Sequence, residues 1–231
     1  VTSTPPLVTA IVPVKPLGLA KSRLTLPTGP RRDLALAFAL DTISALKSSP
    51  VVAAVLVVTS DPVVAEHVRR LRVRLVRDDA GGLDHAVREG ARVARSRRPD
   101  AGVAVVPADL PCLRATDVTD VLGQAASDHG AFVPDRAGTG TTLVVHPPGS
   151  QAVTRYGPGS AARHAALGLE QLRGAPVRAR HDVDTVEDLE VAATLGLGPR
   201  TAGVVAEPDV RWLRTSVPRP SVTRPRGQPI R

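Results

Sequence analysis

Apolar residues recur along this chain in two alternating rhythms. Val8 to Val14 is a short apolar run rich in β-branched residues, the pattern of a buried strand. A polar loop follows, Lys15 to Arg23, and Pro30 then opens a helix. Leu36, Ala39, Leu40, Ile43 and Leu46 are spaced as one face of that helix. Val51 to Thr59 repeats the strand pattern, Pro62 to Leu71 the helical one, and Val73 to Val76 reads as a short strand. Leu83, Ala86, Val87, Gly90, Val93 and Ala94 form the next helical stripe, followed by a strand at Val103 to Val106. Thr116 opens a helix to about Ala126. Phe132 and Val133 begin a strand, and Thr141 to His146 reads as its hairpin partner. Ser160 opens a helix, Val177 to Ala179 reads as extended, and Thr185 to Leu195 is the last predicted helix. Thr185 and Asp188 have the spacing of a helix N-cap pair.

Strand and helix alternate through at least four units, with no internal repeat. This predicts an α/β fold with a mostly parallel sheet flanked by helices. Ligands of such sheets bind at the carboxyl ends of the strands, so residues just after each strand carry the functional signal.

Composition narrows the class. The chain has 231 residues, 42% hydrophobic and 23% charged, which suits one globular domain. Aromatics are only 2%, so the core must be built from Val, Leu, Ala and Ile, and nucleic-acid binding by base stacking is disfavoured. The net charge of +8 is unevenly spread. Arg211, Arg214, Arg219, Arg224, Arg226 and Arg231 lie among five prolines in 207–231, against Glu207 and Asp209 alone. That segment is expected to be a disordered basic tail, leaving 1–206 as the functional domain. The one cysteine, Cys112, permits no intramolecular disulfide and reads as structural. The longest apolar run, Val51 to Val58, is too short to span a bilayer, and no export signal opens the sequence. A cytoplasmic protein without membrane contact is expected. Oligomeric state is not legible.

Six clusters carry candidate chemistry. Pro13, Val14 and Lys15, with Lys21 and Arg23 just beyond, bring three cations to the end of the first strand. They could hold a triphosphate and neutralise leaving pyrophosphate, or be a solvated basic loop. Asp109, in Pro107-Ala108-Asp109-Leu110-Pro111, ends an apolar strand and could bind a divalent metal or simply cap a turn. Asp182 and Asp184 point to one face if the segment is extended, and with Asp109 could form an oxygen cage for Mg²⁺. Tyr156-Gly157-Pro158-Gly159-Ser160 precedes a helix and suits an anion, with Arg155, Arg163 and His164 nearby, though a plain Gly-Pro turn would look similar. Asp135 to Thr142 is rich in glycine and hydroxyls but lacks the lysine of a P-loop. Asp84, after Gly81 and Gly82, is either a helix cap or a contact to a guanine edge or ribose. No Cys/His metal set and no Ser-His-Asp arrangement stands out.

In order, the stretches VPVK…AKSRL, VVTSD, GLDHA, VVPADLP, PDRAGTGTT, RYGPGS and DVDTVEDL resemble the CofC/FbiD family of guanylyltransferases, from about Val8 to Val205. The resemblance implies a GT-A-like nucleotidyltransferase fold. It implies attack by the phosphate of a three-carbon phospho-acid on the α-phosphate of GTP, in the making of the deazaflavin coenzyme F-420. The acid is phosphoenolpyruvate, 2-phospho-L-lactate or 3-phospho-D-glycerate in different members. The high-GC residue bias favours phosphoenolpyruvate here. The resemblance places Mg²⁺ on Asp109, Asp182 and Asp184, and the phospho-acid against Thr141, Gly157 and Ser160. It turns the basic loop of Pro13, Lys15, Lys21 and Arg23 toward the triphosphate. Two positions depart from the family pattern: Asp84 stands where many members have Asn, and Thr142 ends a stretch that often ends in Asn.

Two other readings compete. A GT-A-like nucleotidyltransferase for molybdopterin or a sugar phosphate would share the fold. Sugar enzymes usually carry a Gly-rich loop after the first strand, and here that loop has only Gly18. A nucleic-acid-binding module would act through the Arg/Pro segment and bind in a salt-dependent way.

Overall fold

A computed structural model describes residues 7–78, 82–125 and 129–207. The expected tail beyond Glu207 lies outside the described residues, as do Gly81 and Ala126.

Seven strands form one sheet. They are β1 (Val8–Pro13), β2 (Val52–Thr59), β3 (Arg74–Arg77), β4 (Gly102–Val105), β5 (Ala131–Pro134), β6 (Thr141–His146) and β7 (Glu170–Gln171). Their spatial order is β3-β2-β1-β4-β6-β5-β7. The pairs β1–β2, β2–β3, β1–β4 and β5–β7 are parallel, while β6 runs antiparallel to both β4 and β5. The expected hairpin of β5 and β6 is therefore present within a mostly parallel sheet. Helices α1 (Thr28–Ser48), α2 (Pro62–Arg70), α3 (Leu83–Arg97), α4 (Ala115–Gln124), α5 (Ser160–Ala166), α6 (Val186–Leu195) and α7 (Pro199–Ala206) complete the described elements.

Burial on both faces explains the strand sequences. Every residue of β4 is buried, as is all of β1 except Pro13, so neither shows a polar alternation. One face carries the largest core cluster, built from residues such as Val12, Ala39, Ile43, Val57, Leu110 and Val121. The other face packs Ile11, Leu56, Val58 and Val105 against Ala86, Val87, Ala91 and Ala94 of α3. Gly90 lets α3 approach closely, since a Cβ there would lie 2.6 Å from Ile11 Cγ2.

Three sequence expectations are corrected. First, α1 begins at Thr28, with Pro30 inside its first turn, where the missing N–H costs nothing. The helix is buried nearly all round rather than along one stripe, and Leu36 is only partly buried. Second, Thr185–Leu195 is not the last helix. Thr185 does cap α6, its hydroxyl accepting from the Asp188 N–H while Asp188 accepts in return, but α7 follows and packs on α1. Asp41, 4% exposed in the middle of α1, accepts from the N–H groups of Arg200 and Thr201 at 3.2 and 2.8 Å and so satisfies the free end of α7. Third, Val177–Arg180 is a 3₁₀ turn after Pro176 and not an extended segment. Arg178 makes a two-pronged contact to buried Asp117 at 2.8 and 2.7 Å, and Arg180 donates to the Pro134 and Asp135 carbonyls. These anchors curl the backbone, and the short strand β7 lies upstream instead. Among the described residues no helix is long and apolar enough to cross a membrane.

Candidate active site

A cleft of about 960 Å³ opens at the carboxyl edge of the sheet. The loop after β1 and the segment after β4 line it, as the α/β rule requires. Reversal of β6 adds a less obvious contribution: its first residues, Thr141 and Thr142, reach this same edge because the strand runs the other way. In the strand order β1 and β6 flank β4, so the basic loop and the hydroxyl-bearing strand stand on either side of Asp109.

The acidic residues meet where the sequence reading placed them. Asp109 follows β4, and its carbonyl accepts from the Val183 N–H at 3.0 Å. That bond ties the Asp182–Asp184 segment to the end of the sheet. Val183 is fully buried while Asp182 and Asp184 both line the cleft, which is the alternation expected of an extended segment. Lys21 bridges two of the carboxylates: its Nζ donates to Asp109 Oδ2 at 2.7 Å and to Asp184 Oδ1 at 2.8 Å. Lys21 has φ of 54°, a left-handed conformation rare outside glycine, so the loop holds it under backbone strain. Arg23 lies 3.7 Å from Asp184 on the exposed side.

Electrostatics divides the cluster. Burial pushes Asp182 up to about 7, and the neighbouring charges of Asp109 and Asp184 add to the effect. For Asp184, burial acts in the same upward direction, but Lys21, then Arg23 and Lys15, outweigh it and hold the carboxyl below its ordinary value. Burial works against the Lys21 ammonium, yet Asp109 and Asp184 outweigh it and raise its pKa. Asp109 Oδ1 is buried without a hydrogen-bond partner. The cluster thus has more carboxylate than the one ammonium satisfies, and all its donors are oxygens, which suit a hard divalent cation. Among the described residues no group of three or more His, Cys, Asp or Glu is arranged to hold a metal ion, and Lys21 sits between two of the carboxylates.

The far wall is built by β6 and the turn before α5. Thr141, Gly157 and Ser160 all line the cleft. Gly157 has φ of 109° and Gly159 φ of 70°, conformations that side chains rarely adopt, so the turn depends on both glycines. Thr142 is committed elsewhere, its hydroxyl donating to the Ala179 carbonyl at 2.6 Å. Pro13, Lys15, Lys21 and Arg23 also line the cleft. Asp84 does not: it is exposed in the first turn of α3, makes no side-chain cap, and the cleft there is lined by Asp78, Gly82, Leu83 and Ala86. Cys112 is 1% exposed, donates to the Ala192 carbonyl, and has its thiol pushed up to about 12 by burial, as befits a structural residue.

Sequence reasoning assigned no individual role to several side chains that organise this cleft. Asp61 caps α2 and also accepts from the Leu17 N–H at 2.8 Å, which fixes the basic loop. Its position after β2 was the available signal. Tyr156 donates from its hydroxyl to the Val105 carbonyl at 3.0 Å and packs edge-on to His164. Asp78, after β3, also lines the cleft.

An open, mostly parallel α/β sheet gathers acidic, basic and hydroxyl groups at one carboxyl edge, and its fold is nucleotidyltransferase-like. Solved structures agree on the fold. The chain superposes on 4-diphosphocytidyl-2C-methyl-D-erythritol synthase with a TM-score of 0.59 at 16% identity, covering 84% of this chain and 99% of that one. It superposes on a nucleotidyl transferase from Methanothermobacter thermautotroptrophicus with a TM-score of 0.55 at 16% identity, covering 82% and 97%. The particular family follows from sequence: residues 8–191 match the family described as "Guanylyl transferase CofC like", and the chain belongs to it. Similar relatives include the phosphoenolpyruvate guanylyltransferase of Streptomyces scabiei (strain 87.22), 47% identical over 206 residues, covering 86% of this chain and 95% of that protein. The phosphoenolpyruvate guanylyltransferase of Salinispora arenicola (strain CNS-205) is 48% identical over 199 residues, covering 84% and 91%.

Proposed function

We propose that this chain joins GMP from GTP to the phosphate of phosphoenolpyruvate and releases pyrophosphate, as a step in making coenzyme F-420. The observation that carries the reading is the cluster of Asp109, Asp182 and Asp184 with Lys21 in its midst, at the carboxyl edge of the sheet and beside exposed Lys15 and Arg23. Relatives named for this reaction support the choice of substrates.

Both substrates are anions, so charge is the first obstacle. Lys15 and Arg23 lie on the loop that enters the cleft and meet the triphosphate. Asp109, Asp182 and Asp184 would hold Mg²⁺, which when bound offsets phosphate charge. Lys21 would then release its carboxylates and turn its ammonium to a phosphate oxygen. Thr141, Gly157 and Ser160 orient the phospho-acid on the other side of Asp109. Its phosphate oxygen forms a bond to the α-phosphorus of GTP, the bond from that phosphorus to the β-phosphate bridging oxygen breaks, and the electron pair leaves with pyrophosphate. The attacking phosphate is ionised at neutral pH and needs no general base. The chain's work is positioning and charge stabilisation.

A pyrophosphate-release panel tests this. GTP, ATP, CTP and UTP are each offered with phosphoenolpyruvate, 2-phospho-L-lactate or 3-phospho-D-glycerate in the presence of Mg²⁺. Release confined to GTP and strongest with phosphoenolpyruvate is expected. Preference for CTP or UTP would move the chain to the sugar-phosphate or molybdopterin type, and preference for another acid would correct the acceptor.

A further inference from the structure

His164 lies on α5 behind the cleft wall, fully buried, and no step above uses it. Its two ring nitrogens have different partners. The Arg155 backbone N–H donates to Nε2 at 2.9 Å. A peptide N–H can only donate, so Nε2 must present its lone pair. The single proton of the neutral ring is then on Nδ1. Nδ1 stands 2.9 Å from Thr141 Oγ1. Nδ1–H therefore faces the threonine oxygen and shares its proton with the Ser160 backbone carbonyl, and the Thr141 hydroxyl cannot donate to it, because that bond would require a ring without any proton.

The consequence falls on Thr141. Its oxygen accepts from the ring, so its own proton must go elsewhere. Among the described residues its hydroxyl has no partner besides His164, and Thr141 is one of the residues that line the cleft. The ring is held in place from two sides. Phe132 lies at 5.8 Å between ring centroids, and Tyr156 packs edge-on at 5.4 Å with its own hydroxyl tied to the Val105 carbonyl. Burial, then the charges of His146 and Arg163, hold the ring down to about 4, against a hydrogen bond to the Ser160 backbone that pulls upward. His164 therefore stays neutral near pH 7.

We propose that His164 is a positioning residue that fixes the Thr141 hydroxyl as a donor, so that the cleft at Thr141 selects an oxygen that accepts: a carboxylate or phosphate oxygen of the anionic acceptor substrate. The inference rests on the reading of Thr141 as a contact to that substrate. It assigns the wall a polarity, since a ligand group that only donates, such as an ammonium, would face the Thr141 proton.

Three substitutions, two of them also combined, and one spectrum test it. His164→Gln offers an acceptor near the Nε2 position but no donor to Thr141. His164→Asn places an amide N–H near the Nδ1 position. Thr141→Val removes the hydroxyl. With phosphoenolpyruvate and GTP, His164→Gln is expected to raise the phosphoenolpyruvate KM about tenfold with the GTP KM within about twofold, and His164→Asn to restore it to within about threefold of wild type. In the Thr141→Val background His164→Gln should add less than about twofold. An unchanged KM in Thr141→Val sinks the reading of Thr141 itself. A raised KM in Thr141→Val with an unchanged one in folded His164→Gln overturns the role of His164 alone, as does an effect that persists undiminished without the Thr141 hydroxyl. The wild-type protein supplies a test that no folding defect can spoil: long-range ¹H–¹⁵N correlation of the histidine rings. A neutral His164 protonated on Nδ1 at about pH 7 is expected. A ring protonated on Nε2 would overturn the proposal.

Discussion

Lys21→Met isolates the charge that holds the acidic cluster together. Methionine keeps most of the side-chain length and has the same backbone strain at φ of 54°, so the comparison removes the ammonium and little else. Lys21 is 11% exposed at its side chain, Asp109 22% and Asp184 44%. Removing one partner of a fully buried pair costs about 3–5 kcal/mol, because the other charge is left without compensation. Exposed pairs are worth about 0–1 kcal/mol. This bridge lies between the two, with Asp184 nearly half in solvent, and the expected loss is about 2 kcal/mol. For a domain of this length each kcal/mol shifts Tm by about 2–4 °C, so a fall of about 4–8 °C is expected in EDTA. Added Mg²⁺ should stabilise Lys21→Met more than wild type, since the cation no longer competes with an ammonium. Differential scanning calorimetry in EDTA and in Mg²⁺ reads both effects. A variant as stable as wild type in EDTA would refute the claim that the carboxylates depend on Lys21. A variant that responds to Mg²⁺ no more than wild type would refute the competition between the two cations.

Other predictions concern separate parts of the cleft and the core. Asp109→Asn and Asp182→Asn should each lose at least about a hundredfold in kcat/KM while remaining folded by circular dichroism; full activity in either would remove that carboxylate from the site. Ser160→Ala should raise the KM for phosphoenolpyruvate by several-fold and leave that for GTP alone, and equal changes in both would show that it acts on the fold of the turn. His146, 4% exposed, is held down to about 4 by burial, with the Arg95 charge adding and a hydrogen bond to the Val153 backbone opposing. The unfolded chain therefore binds more protons than the folded one between about pH 4 and 6.5, and the contribution of this residue to stability is lost as pH falls through that window. Urea unfolding across that range should show a shallower pH dependence in His146→Leu, and an unchanged slope would rule out His146 as its source.

Fold and site were not equally legible in the sequence. The buried strands could be read because apolar β-branched runs such as Val51–Thr59 have few alternatives, and the helices because their apolar positions recur every three to four residues. The expected single stripe of α1 failed for a tertiary reason. Asp41 and Thr42 fall outside the predicted stripe yet are buried, because Asp41 satisfies the free N–H groups of α7 and Thr42 receives the Leu110 N–H at 3.2 Å. Helix α7 itself has eight residues, too few for a clear period. The 3₁₀ turn at Val177–Arg180 is set by Arg178 on Asp117, a contact 61 residues apart that local pattern cannot reveal.

The carboxylates were legible because Asp109 follows an apolar strand within four residues and Asp182 and Asp184 share a face. The ammonium between Asp109 and Asp184 was not, since nothing in Lys15 to Arg23 says which cation turns inward. His164 was noted beside the glycine turn, but its contact to Thr141 was hidden for a similar reason. A histidine near the end of a short helix looks like surface until β6, reversed in the sheet, brings Thr141 against it. Asp84 is a different case: after a glycine pair it read as either a helix cap or a contact to a base or ribose, and the fold gives it no capping bond and leaves it off the cleft lining.

The central claim is that this cleft links GMP to phosphoenolpyruvate through a new phosphoanhydride. Mass detection of the products from the purified protein with GTP, phosphoenolpyruvate and Mg²⁺ tests it most directly. The account predicts one new species with the mass of guanosine monophosphate joined to phosphoenolpyruvate with loss of water, formed in equal amount with pyrophosphate and absent from the Asp109→Asn protein. Pyrophosphate released together with free GMP, and no joined species, would contradict it.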